Sequence, residues 1–269
     1  MKIDLPKFAN KADLYSFLVK RKEDIFEVKK SEIKKGDVFA TSNPIALKTV
    51  ANKAQLKADT ENELNRTIIG NTYYWMDSHE DVHLSNCFGT SIKQRGVKKI
   101  RHYHDHLNQL TAQVGKFEDV YEQSIKWRDL GIDKDGETEA LFGDSVIRKS
   151  YNSKIFDMYK DGDIDQHSVG MQYISLSMAI NDPEYKEEYA EWQRVFPLLG
   201  NPEEAEKKGY FFTVKEAKLF EISCVPDGSN TLTPTMAVKD IDPEDSSQTK
   251  ADPAEPVELT NKIVYTDLI

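Results

Sequence analysis

The sequence predicts an α+β fold. Short runs rich in Val, Ile, Thr, Tyr and Phe alternate with charged segments whose apolar residues recur every three to four positions. An amphipathic stretch at the N-terminus and an acidic, proline-bearing stretch at the C-terminus flank this mixed region. At 269 residues the chain is long enough for one sizeable core with appendages.

Residues 11 to 34 place Leu14, Phe17, Leu18, Ile25, Phe26, Val28 and Ile33 at helical spacing among Lys and Glu, which predicts a helix with one break. From Asp37 the character turns to β, with runs at 38–41, 67–69 and 72–76, while residues 51 to 66 are polar and read as a loop or short helix. Residues 77 to 81 read as a turn before Val82-His83-Leu84, and Ser85 or Asn86 as the cap of a helix through Ile92. Strands are predicted at 99–103, 112–117 and 120–127, and a turn-rich stretch at 129–137. Residues 138 to 161 read as helix through Ala140, Leu141, Val146, Ile147, Ile155, Phe156 and Tyr159, stopped by Gly162. A strand follows from Ser168 to about Ile180. Helices are predicted from Pro183 to Phe196 and from Asn201, and then two β runs within 210–225 split near Lys215. The tail from Ala237 carries eight acidic against three basic residues with Pro243, Pro253 and Pro256, a composition that predicts disorder. Its last seven residues are apolar again and read as a docking peptide or a frayed end.

Composition excludes several classes. The chain is 39% hydrophobic and 30% charged with a mean hydropathy of −0.62, and no run approaches the roughly 18 apolar residues of a membrane span. The first residues lack the apolar core of a secretory signal, so intracellular synthesis is expected. Cys87 and Cys224 are too few for a disulfide framework or a cysteine-based zinc site. A formal net charge of −10 argues against broad nucleic-acid binding, because phosphate affinity comes from Lys and Arg. The early cluster of Lys29, Lys30, Lys34 and Lys35 reads as a solvated helical face.

Three segments carry the residue types of nucleophilic catalysis: His102-Tyr103-His104-Asp105-His106, His167-Ser168-Val169-Gly170 and Phe220-Glu221-Ile222-Ser223-Cys224. The three alternate histidines would share one face of a strand, which suits a zinc site. They resemble the His-x-His-x-Asp-His motif of metallo-β-lactamase-like hydrolases but are one residue short before the Asp. One histidine alone would suffice as a general base, and a polar surface strand is the plain alternative. His167 cannot serve Ser168, since neighbouring strand residues face opposite ways. Gly170, with no Cβ, would leave room for a substrate backbone to approach. Glu221 and Ser223 share one strand face, and a carboxylate among apolar residues needs a partner that a histidine would supply. Cys224 points away and has no base in sequence.

Together these segments resemble the prohead protease family of tailed phages, which is related to the herpesvirus assemblins. Residues 77–83 with Phe88 resemble the family's Asp-x-x-Gly-Asp-Val stretch, with Glu80 in place of Gly. Residues 100–106 resemble the segment with the catalytic histidine, and Val114-Gly115-Lys116 its Ile-Gly-Lys. Ser168 sits where a Ser-Ile-Gly-Phe motif has its nucleophile, and 219–225 resemble Leu-x-Glu-Val-Ser-Leu-Val. The spacing from His106 to Gly115 is long for the family, which leaves His104 as an alternative base; the insertion 181–208 is also long.

The resemblance implies a mostly antiparallel β-barrel surrounded by helices, the assemblin-like fold, over residues 36–236. An N-terminal helical arm (1–35) would precede it and an acidic flexible tail (237–269) follow. It implies a serine endopeptidase with Ser168 as nucleophile, His106 as base and Glu221 as third member, Asp105 and His104 being rivals for the last place. No cofactor or metal is expected. The substrates implied are the scaffold and major capsid proteins and the chain itself, cleaved inside the immature shell in the host cytoplasm, with self-association, and without nucleic acid or membrane as partner. A non-catalytic capsid-assembly protein of the same fold and a zinc hydrolase using His102, His104 and His106 are the alternatives.

Overall fold

A computed structural model describes residues 6–34 and 57–236. The expected strand at 38–41, the polar stretch 51–56, Lys35 and the acidic tail from Ala237 lie outside the described residues.

The N-terminal arm forms two helices, α1 (Lys11–Lys20) and α2 (Lys22–Ser31), with the expected single break at Arg21. The Asn10 side chain caps α1 by accepting from the Asp13 amide at 2.9 Å. Glu23 and Asp24 open α2 and Lys29 and Lys30 close it, which matches the helix dipole. Then come β1 (Glu63–Thr72), β2 (Asp81–His83), α3 (Gly89–Arg95), β3 (Arg101–His104), β4 (Gln113–Lys126) and β5 (Glu137–Arg148). They are followed by α4 (Ser153–Asp161), β6 (His167–Ile180), α5 (Lys186–Val195), α6 (Pro202–Lys208) and β7 (Tyr210–Cys224).

The seven strands form one mixed sheet in the order β1-β5-β4-β3-β7-β2, with β6 also on β7. Pairing is antiparallel except that β2 and β3 both run parallel to β7. The expected barrel is therefore corrected to an α+β fold with an open mixed sheet, in which, among the described residues, no ladder joins β1 to β6. Instead, residues 233–236 thread between those strands. The Thr233 carbonyl accepts from the His167 amide at 3.0 Å, the Pro234 carbonyl from the Ile69 amide at 3.0 Å, and the Met236 amide donates to the Thr67 carbonyl at 2.9 Å.

A second correction concerns 138–161, read as one helix. Residues 137–148 are β5, and only Ser153–Asp161 is helical, capped by the Asn152 side chain and stopped by Gly162 at φ 83°. The reason is physical. β5 is flanked by β1 and β4 and buried almost throughout, so its apolar residues need not alternate and fit either period.

Other boundaries moved less. The two runs at 112–127 are one strand with a register shift between Phe117 and Asp119, and the split near Lys215 is a bulge within a continuous β7. The helix after Phe88 starts at Gly89 without a side-chain cap. The main core packs α1 and α2 against β6 and β7 through Leu18, Ile25, Phe26, Met171, Tyr173 and Phe212. Among the described residues no helix is long and apolar enough to cross a membrane.

Candidate active site

Strand β7 is the platform. Glu221 and Ser223 project from one face, two residues apart, while Ile222 enters the core on the other. On one side β3 runs parallel to it, with Arg101 opposite Glu221 and His104 opposite Cys224. On the other side β6 runs antiparallel, with Ser168 opposite Ser223 and Gly170 opposite Glu221. Directly opposed residues share a face, so Ser168 and Gly170 project on the side of Ser223 and Glu221.

The sequence's histidine reaches the same face through a backbone turn. β3 ends at His104, and Asp105 and His106 both take left-handed conformations, at φ 52° and 54°. Such values are uncommon for residues other than glycine and persist where surrounding bonds hold them. Here the Asp105 amide donates to the Cys224 carbonyl at 3.0 Å and the His106 amide to Ser223 Oγ at 3.3 Å. The turn brings His106 Nδ1 to 2.5 Å from Glu221 Oε1. Ser223 Oγ donates to the other carboxylate oxygen at 2.6 Å. His106, Glu221 and Ser168 are all buried, at 6%, 8% and 6% exposure.

Gly170 has a different use from the expected one. A Cβ there would lie 2.1 Å from Glu221 Oε1 and 2.7 Å from its Cδ. The space above Gly170 therefore holds the Glu221 carboxylate, not an approaching substrate backbone. A bulge follows at once, since Met171 pairs with Leu219 and leaves Phe220 as the extra residue.

The three alternate histidines part company. His102 is fully buried, with Nδ1 at 2.7 Å from Ser145 Oγ and Nε2 at 3.1 Å from the Tyr159 hydroxyl. His104 lies 2.9 Å from Asp105, at the surface. Only His106 meets Glu221. Because the strand ends before His106, alternation does not align the three on one face. Among the described residues no group of three or more His, Cys, Asp or Glu side chains is placed to hold a metal.

Ser168 lies across from Ser223, two residues along β6 from Gly170, which faces Glu221. Behind Ser168 a cavity of about 10 Å³, room for a single water, is lined by Asn71, Asp77, His79 and His83. His83 is fully buried and stacks on Phe88, and burial lowers its pKa to about 3. His167, beside Ser168, bonds the Tyr159 hydroxyl at 2.9 Å, and burial lowers its pKa to about 4. Both imidazoles are thus neutral at neutral pH.

In front, His106, Gly170 and Glu221 open into a groove of about 610 Å³ whose wall carries Arg95, Lys99 and Arg101. This cationic wall stands out in a chain of net charge −10.

Sequence reasoning placed Ser223 on the correct face but gave it no role. The signal was Glu-x-Ser on one strand, two side chains that alternation sets side by side. Cys224 is buried, and burial raises its pKa to about 12, which leaves it without thiolate character. Comparison with protein-family models, curated proteins and solved structures gave no match.

Proposed function

We propose that the protein is a serine endopeptidase of the prohead-protease type, with an assemblin-like fold. The observation that carries the reading is the buried Glu221–His106 pair, 2.5 Å apart, which lines a groove of peptide size and lies one strand from Ser168, whose register partner Ser223 bonds Glu221. A surface histidine or a filler serine would not require a left-handed turn, a bonded carboxylate and a glycine that makes room for that carboxylate.

The chemistry follows from the bonds. Nδ1–H of His106 donates to Glu221, which fixes the tautomer and puts the basic lone pair on Nε2. Nε2 takes the Ser168 hydroxyl proton as Oγ attacks the scissile carbonyl, and Glu221 stabilises the imidazolium that forms. His106 returns the proton to the leaving amine, and water then hydrolyses the acyl-enzyme with the same base. Ser223 holds the outer carboxylate oxygen and so the plane of Glu221. The substrates are the scaffold and major capsid proteins and the chain itself, within an immature shell in the host cytoplasm. Charge complementarity with Arg95, Lys99 and Arg101 favours peptide segments bearing acidic side chains.

Co-expression with the neighbouring scaffold and capsid genes, wild type beside Ser168→Ala, tests this by intact mass. Defined truncations are expected with wild type and none with Ser168→Ala. Identical masses in both would instead favour a non-catalytic assembly protein.

A further inference from the structure

Beyond α2 the arm makes a single β-bridge to β6. The Lys34 amide donates to the Met171 carbonyl at 2.7 Å, and the Met171 amide donates back to the Lys34 carbonyl at 3.2 Å. This antiparallel bridge sits on the edge of β6 that faces away from β7. Gln172 Nε2 steadies it by donating to the Lys30 carbonyl at 3.0 Å. Ile33 and Lys34 then face opposite ways, as in any extended peptide. Ile33 lines the groove that holds His106, Gly170 and Glu221, and is 56% exposed. Lys34 is 4% exposed; its ammonium lies 4.5 Å over the Tyr173 ring and pairs with the Asp81 carboxylate.

Asp81 is fully buried and also holds Lys29 Nζ at 2.5 Å and the Tyr173 hydroxyl at 2.8 Å. Burial opposes all three charges, but the two ammonium groups together hold the Asp81 carboxyl far below its ordinary range. Burial lowers the Lys29 pKa, whereas at Lys34 the pull of Asp81 and Asp77 outweighs burial and raises it. Apolar side chains would fasten an arm here without the desolvation cost of a buried ion cluster. What the acid adds is selectivity, since a strand without lysine at this position leaves Asp81 short of a partner.

We propose that the β6 edge at Met171, with Asp81 beneath it, is a strand-addition subsite for an extended peptide bearing a lysine, and that Ile33–Lys34 fill it as an intramolecular competitor. The proposal rests on the peptidase reading only in identifying the exchanged peptide as substrate. Main-chain pairing supplies affinity that is independent of sequence, and Asp81 supplies the choice of side chain. An occupant in cis acts at an effective concentration on the order of millimolar, so a free peptide competes poorly until the arm's lysine is removed.

The test uses the full chain carrying Ser168→Ala, so that no peptide is cut. The probe is a fluorescein-labelled peptide of residues 29–36, followed by anisotropy. Adding Lys34→Ala to the protein is expected to tighten peptide binding at least about tenfold relative to the intact arm. The same peptide with alanine in place of its Lys34 is expected to bind at least about tenfold more weakly than the parent peptide. Lys34→Met, which keeps the stem over Tyr173, serves as the second variant and is expected to act in the same direction. Amide exchange at Met171 should speed up in both variants and slow again with peptide. Equal affinity for intact and variant proteins, equal affinity of the two peptides, or no binding to the variants would overturn the proposal. Because occupancy is read without catalysis, a wild-type protein that cleaves nothing would sink the peptidase reading and leave these results standing.

Discussion

Replacing Gly170 with alanine separates the catalytic geometry from the fold. The new methyl would sit 2.1 Å from Glu221 Oε1, against an ordinary contact of 3.4 Å or more. That oxygen is the one 2.5 Å from His106 Nδ1. The backbone at Gly170 is held by pairing with β7, so the carboxylate must withdraw by about 1 Å, a displacement that costs catalysis on the order of a hundredfold. The bond energy gives the same scale: a hydrogen bond to a charged group contributes about 1.5–3 kcal/mol, which is roughly 10- to 150-fold in rate. The loss should fall on kcat with KM little changed, because the carboxylate acts on the imidazolium that forms during reaction. Gly170 is not in the left-handed region, so alanine adds no backbone strain, and the melting temperature should drop by only a few degrees, about 1 kcal/mol.

The assay is hydrolysis of a peptide taken from a mapped cleavage site, alongside thermal melting by circular dichroism. A double-mutant cycle with Glu221→Gln completes it. If Gly170 acts through Glu221, the double variant should be no slower than Glu221→Gln alone. Full activity in Gly170→Ala, or losses that multiply in the double variant, would refute the assignment of Glu221 as the group that orients His106.

Three further outcomes are expected. Ser223→Ala removes both the donor to Glu221 Oε2 and the acceptor of the His106 amide, and should lower kcat/KM by at least about tenfold, the worth of one hydrogen bond to a charged group. It should also lower the melting temperature by several degrees, because a buried amide and a carboxylate oxygen lose a partner. Arg101→Glu reverses one charge on the groove wall and should slow cleavage of acidic peptides at low salt, a defect that shrinks as ionic strength rises; salt-independent kinetics would contradict a steering role. His83 and His167 have folded pKa values of about 3 and about 4, below their ordinary 6.5, so the unfolded chain binds protons first. Stability should be flat above about pH 7 and fall as pH drops from 6.5 toward 4, by up to roughly 4 kcal/mol per pH unit, because the fully buried His102, which burial also pushes well below its ordinary range, contributes with them. Urea midpoints at pH 7, 6 and 5 check this, and a flat series would refute burial of neutral imidazoles.

The candidate site was legible in the sequence to the extent that it depends on single residues. Ser168, His106 and Glu221 lie in three short segments, and the structure brings those segments onto adjacent strands. What was not legible depends on register. Gly170 was read as space for a substrate, because no sequence pattern says that position 170 faces position 221. The expected alignment of the three histidines on one face depended on register too, since two left-handed residues end the alternation before His106. β5 was misread because a strand buried on both faces loses the period that distinguishes it from a helix. Lys29 and Lys34 were assigned to a solvated helical face, yet Lys34 lies beyond the helix and both reach a buried Asp81, and nothing local in a lysine-rich stretch marks which side chains find an acid.

The dependence on register has a consequence for how the site is kept. Glu221 and Ser223 come from β7, the histidine from the turn beyond the strand on one side of it, and the serine from the strand on the other. A slip of one residue in β7 would turn Glu221 and Ser223 into the core and bring Ile222 to the groove. The slip is opposed on the far face by apolar packing, where Ile222 is fully buried and makes close contact with Gly70 of β1. The bulge at Phe220 fixes the phase on the near side, because it sets where pairing resumes at Leu219. Core packing beneath β7 therefore holds the register that sets Glu221 against His106. A change such as Ile222→Ala, remote from any substrate, is expected to cost about 2–5 kcal/mol of stability and to lower kcat by misplacing Glu221. Ile222→Val, which keeps the β-branched shape, should retain most of both, and equal kcat in wild type and Ile222→Ala at full folding would show that β7 keeps its register without this packing.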